Sequence, residues 1–118
     1  MMRSNKLYLK DIVDSIQKIL EYTRGIDYDR FTENSMVFDA VIRNFEIIGE
    51  PAKNIPDNVK EGNPAIPWSD MVGMRNILIH GYFGVDYAIV WTTVELLPDF
   101  LENIKKVRIN NEASTDSL

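Results

Sequence analysis

The sequence predicts an all-α fold, an antiparallel helical bundle of four main helices with one extra short helix between them. Three observations carry this. Apolar residues recur at steps of three and four through four separate stretches, the period of a helix with one buried face. No stretch of useful length alternates apolar and polar residues as a half-buried strand would. The connections are short and rich in Gly, Pro, Asn and Asp, which suits antiparallel neighbours.

The first helix is expected from about Lys6 to Thr23, with Leu9, Ile12, Ile16, Ile19 and Leu20 on its buried face. Gly25 should stop it, and Asp27, Tyr28 and Asp29 read as a polar turn. The second helix should start at Thr32 or Asn34 and reach Lys53. Val37, Val41, Phe45, Ile48 and Ala52 form its stripe, widened by Met36, Ala40 and Ile47. Pro51 lies inside this pattern and lacks a backbone donor, so the helix should either end near Gly49 or kink. The connector that follows has room for one helical turn at Asp57–Glu61.

A third helix should begin near Pro67, Trp68 and Ser69, with Asp70 placed well for the helix dipole. Its stripe is Met71, Met74 and Leu78 with Ile77 alongside, and it should end at Gly81 before a Gly-flanked turn. Asp86 is the expected N-cap of the last helix, whose Val90, Val94, Leu97, Leu101 and Ile104 follow at helical steps. Pro98 should bend that helix. The predicted domain is residues 1–107, followed by a polar and flexible tail at 108–118.

Composition excludes several chemistries. A chain of 118 residues has the length of one domain. It has no cysteine, which removes disulfides, thiolate metal sites and a cysteine nucleophile and suits a cytoplasmic location. Its single histidine, His80, rules out a multi-histidine zinc site within one chain. Charged residues interrupt every apolar run short of a membrane span, and the first residues carry no apolar signal core. The net charge of −5 weighs against nonspecific binding to nucleic acid. A local basic cleft survives that argument, because fields are screened over about 8–10 Å.

The chemistry-bearing residues gather between Arg75 and Tyr82. Arginine, an amide (Asn76), the only histidine and a tyrosine fall within one short stretch at a helix end. Asn76 and His80 lie about 40° apart on a helical wheel, whereas Arg75 and His80 are about 140° apart. The pair therefore meets only if the arginine swings round or His80 leaves ideal geometry. A purely structural role is open from these residues alone. A terminal histidine can serve the last carbonyls of its helix, and Arg75 can pair with Asp70, Asp86 or Glu46.

The pattern Arg75–Asn76–x3–His80–x–Tyr82 resembles the RX4HXY signature of HepT-like toxins, the DUF86 family of the HEPN superfamily. Leu7–Tyr8–Leu9–Lys10–Asp11–Ile12 is similar to that family's opening helix. Asp39–Ala40–Val41–Ile42–Arg43–Asn44 and Ile47–Ile48–Gly49–Glu50 are similar to its second. Ile66–Pro67–Trp68 with Gly73–Met74–Arg75–Asn76, then Val85–Asp86 and Val90–Trp91, continue the likeness in order across residues 7–104. Pro51 departs from the family, which more often has alanine there.

The resemblance implies a helical domain that forms a homodimer around a shared cleft. It implies a metal-independent endoribonuclease without cofactor, the toxin of a type II toxin–antitoxin system. Its RNA substrate would be cut by Arg75 and His80, with Asn76 in support. The implied partner is a minimal nucleotidyltransferase antitoxin of the MNT type, which would transfer AMP to Tyr82. The chemistry is consistent with the residue types. Histidine moves protons near neutral pH, and arginine holds phosphate oxygens in a bidentate fork. One histidine performs one role at a time, so a two-fold dimer that supplies a second His80 suits a reaction needing both a base and an acid. The alternative is a noncatalytic helical partner or substrate-binding subunit of a nucleotidyltransferase.

Other residues carry weaker signals. Glu46 and Glu50 are spaced i, i+4, but the reading favoured is a solvated helix face. Trp68 and Trp91 read as core or interface residues rather than as platforms for bases. Arg43 and Asn44 read as a surface arginine and its neighbour, or as supports of the dimer or cleft.

Overall fold

The computed structural model describes residues 4–73 and 86–107, and all of its regular elements there are helices. Helix α1 is Asn5–Tyr22. The hydroxyl oxygen of Ser4 accepts from the Leu7 amide at 3.2 Å and so satisfies one of the free donors at the helix start. Leu9, Ile12, Val13, Ile16 and Ile19 are buried along one face. Thr23 closes the helix by donating its hydroxyl to the Ile19 carbonyl at 2.8 Å. Gly25 follows with φ of 74°, a left-handed conformation that costs other residues about 1–2 kcal/mol. A Cβ there would meet nothing within 4 Å, so the glycine serves the backbone angle rather than a tight contact.

The expected polar turn at Asp27–Asp29 is instead the start of a short helix, α2, Tyr28–Glu33. Asp27 is its N-cap and accepts from the Arg30 amide at 2.9 Å. Six residues are too few to hold a helix in water, so tertiary packing must supply its stability. Phe31 supplies it. The ring is fully buried, with centroids 5.5 Å from Phe38 and 5.0 Å from Trp91.

Helix α3, Ser35–Asn54, is capped by Asn34, whose side-chain oxygen accepts from the Val37 amide at 3.1 Å. Val41, Phe45, Ile48 and Ala52 are buried as the period requires. Met36 is not part of that face, being 82% exposed. Pro51 does not end the helix at Gly49; the helix runs on to Asn54. Proline removes one donor and crowds the carbonyl four residues earlier, but Pro51 and Ala52 both pack into the interior. That burial offsets the lost bond.

The connector contains α4, Asp57–Glu61, as expected. Ile55, Val59 and Ile66 from this stretch are buried. Helix α5 begins at residue 68 and is helical through 73. Helix α6, Tyr87–Lys105, starts at Asp86 and buries Val90, Val94, Leu97 and Ile104. Leu101 is half-buried. The helix passes through Pro98, which lies on its exposed side, without ending.

The architecture follows from these faces. Helix α1 packs most extensively on α3 and also on α6, while the short α2 lies against both α3 and α6. Each fully buried Leu, Ile, Val or Phe contributes about 1.5–3 kcal/mol relative to exposure. Three buried positions among the described residues are polar, Ser15, Thr23 and Asn44, the last 6% exposed. Its amide nitrogen donates to the Ala40 carbonyl at 2.9 Å, whereas its amide oxygen has no partner among the described residues. No described helix is long and apolar enough to cross a membrane.

Candidate functional site

Arg75, Asn76, His80 and Tyr82 lie outside the described residues, as do Met74, Ile77, Leu78 and the expected helix end at Gly81. The structure shows how the chain enters and leaves that segment. On the entering side Asn63 is the pivot. Its side-chain amide donates to the Val59 carbonyl at 2.8 Å. Its own carbonyl accepts from the Ile66 amide at 3.1 Å and from the Trp68 indole at 3.2 Å.

Trp68 is 6% exposed. A buried indole needs an acceptor for its N–H, and the connector provides one. The first helical bond of α5 runs from the Met71 amide to the Pro67 carbonyl at 3.1 Å. This agrees with the expected start, in which proline needs no donor. Met71 is buried in the core. The helix that leads into Arg75 is therefore anchored by an apolar residue in each of its first two positions of contact, Trp68 and Met71.

On the leaving side Asp86 caps α6. One carboxylate oxygen accepts from the Ala88 amide at 2.8 Å and from the Ile89 amide at 3.4 Å. The segment 74–85 thus runs between an anchored helix start and a capped one.

A cavity of about 320 Å³ lies beside the entering side, its walls largely apolar. Ile16 of α1, Phe45 and Ile48 of α3, Met71 of α5, and Leu97 and Phe100 of α6 line it. Ser69, Asp70 and Thr93 are the polar residues on its lining, and Gly73 also borders it.

Two of the three alternative partners for Arg75 have other engagements. Asp86 serves as a cap, and Glu46 lies 3.4 Å from Arg43. Asp70 is exposed. Elsewhere Lys10 pairs with Asp14 at 2.8 Å and Arg24 with Glu21 at 2.6 Å, both at the surface. These pairs occupy cations locally, in arrangements worth a few tenths of a kcal/mol each.

Several weaker sequence signals now have places. Glu46 faces Arg43 across one turn, and Glu50 is exposed. No group of three or more His, Cys, Asp or Glu among the described residues could hold a metal ion. Trp68 is a core residue. Trp91 packs beside Phe31 and lies 6.4 Å from Tyr28 between ring centroids, so it too serves packing. Arg43 is exposed. Asn44, in contrast, is interior, whereas sequence reasoning took it with Arg43 as a surface neighbour or a support of the dimer or cleft. Its position three residues after Val41 and four before Ile48 was the available signal, since it places the amide on the buried stripe.

The described elements are those of a small all-α domain, and in the sequence an Arg–x4–His–x–Tyr segment falls between the start of α5 and the start of α6. The chain belongs to the HepT-like family, described as ribonuclease HepT-like, which matches residues 12–107. Among curated proteins, the chain is 47% identical over 109 residues to one from Thermococcus cleftensis named as a probable ribonuclease HepT, covering 92% of this chain and 99% of that one. Two proteins of Methanocaldococcus jannaschii bear names of candidate RNases. One is 43% identical over 106 residues, covering 90% of this chain and 92% of its own. The other is 41% identical over 106 residues, covering 89% and 91%. No solved structure gives a significant match.

Proposed function

We propose that this protein is the endoribonuclease toxin of a type II toxin–antitoxin pair, cutting RNA without a metal ion through Arg75 and His80. The observation that carries the reading is the extent of the family match. It spans residues 12–107 and therefore includes Arg75, Asn76, His80 and Tyr82. Relatives matched over nine-tenths of this chain bear ribonuclease names.

In the proposed reaction a neutral His80 imidazole takes the proton of a ribose 2′-hydroxyl. The 2′-oxygen then forms a bond to the adjacent phosphorus, and the bond from phosphorus to the 5′-oxygen breaks. The departing oxygen takes a proton from an imidazolium, leaving a 2′,3′-cyclic phosphate and a 5′-hydroxyl. In a homodimer the second copy of His80 supplies that acid. Arg75 neutralises the non-bridging oxygens as charge develops on them. Asn76 orients the imidazole or the phosphate. No step calls for a cofactor.

Regulation in this reading comes from a minimal nucleotidyltransferase antitoxin of the MNT type. It transfers AMP from ATP to the hydroxyl of Tyr82, releasing pyrophosphate. The added phosphodiester engages Arg75, and the nucleoside occupies the RNA cleft. The decisive experiment is RNA cleavage by the purified chain in EDTA, wild type against His80→Ala. Cleavage by the wild type alone supports the reading. Failure of both to cut would favour the noncatalytic partner of a nucleotidyltransferase.

A further inference from the structure

We draw no further inference here: the strongest candidate, the apolar cavity between α1, α3, the start of α5 and the Leu97–Phe100 flank of α6, borders the residues that lead into the proposed site, and nothing in the structure shows what covers it.

Discussion

The indole N–H of Trp68 donates to the main-chain carbonyl of Asn63 at 3.2 Å, tying the first residue of α5 to the connector that precedes it. The bond joins two elements that share no helix, so its loss is not compensated by neighbouring turns. Trp68→Phe keeps most of the buried ring but removes the indole's bond, leaving the carbonyl with the Ile66 amide alone, and should cost about 1 kcal/mol. Trp68→Ala also empties the pocket and should cost about 3–5 kcal/mol. Urea denaturation followed by circular dichroism separates the two. A Trp68→Phe variant as stable as the wild type would mean that the hydrogen bond carries nothing.

Arg75→Ala and His80→Ala should each abolish RNA cleavage, with losses of at least about a hundredfold for the proton-transfer residue. Helical content and melting temperature should stay near those of the wild type. Cleavage assays in EDTA and thermal melts on the same samples test this. Unfolding of either variant would return Arg75 or His80 to a structural role, and cleavage that appears only with Mg²⁺ would sink the mechanism.

Tyr82→Phe should remain a folded and active RNase that a cognate nucleotidyltransferase with ATP no longer silences by modification. The wild type under the same conditions should gain one AMP on Tyr82, mapped by mass spectrometry, and lose activity. An adduct at another residue, or a modified protein that still cuts at the original rate, would refute this role.

The chain should be a dimer in solution. One histidine per chain leaves the proposed acid and base to two copies, and closed two-fold pairs are the commonest oligomers. Light scattering across a concentration series checks it. A stable monomer with full RNase activity would end the shared-site argument.

Asn44 offers a test of a different kind. Its buried oxygen lacks a partner among the described residues, a situation that typically costs about 1–3 kcal/mol. Asn44→Leu removes that cost along with the bond to Ala40, and should leave stability within about 1 kcal/mol of the wild type or above it. Asn44→Asp buries a charge and should destabilise by more than about 3 kcal/mol at neutral pH. Chemical denaturation measures both. A leucine variant as damaged as the aspartate variant would show that the oxygen has a partner in solution.

Much of the fold was legible because the strongest signals were periodic. The stripes of α1, α3 and α6 each run for several turns, Asp86 announced its helix as a cap, and the start of α3 was narrowed to Thr32 or Asn34. The exceptions share a cause. Helix α2 contains a single buried residue, Phe31, and one apolar residue defines no period. Its evidence lay in Phe38 and Trp91, distant in sequence. Met36 matched the stripe of α3 by spacing, but lies in the first turn, where it is exposed. Pro51 was read as a possible terminator from local geometry, and burial against the core overrode it. Arg75, Asn76, His80 and Tyr82 lie outside the described residues, while the family match agrees with the resemblance that they and the flanking segments carried. The anchoring of Trp68 by Asn63 was not legible, since a hydrogen bond to a main-chain carbonyl leaves no mark in the identity of the acceptor.

The packing of Phe31 against Trp91 also bears on how the chain is made. Synthesis runs from the N-terminus, so α1, α2 and α3 are made before residue 91 exists. Until then Phe31 has Phe38 beside it but no indole to cover its other side, and α2 is too short to persist unaided. Between the making of α2 and that of α6 the nascent chain consequently has Phe31 without Trp91 to cover it, a hazard for association with other chains. Translation of the final helix removes it, so α6 acts as the closing piece of the domain in time as well as in space.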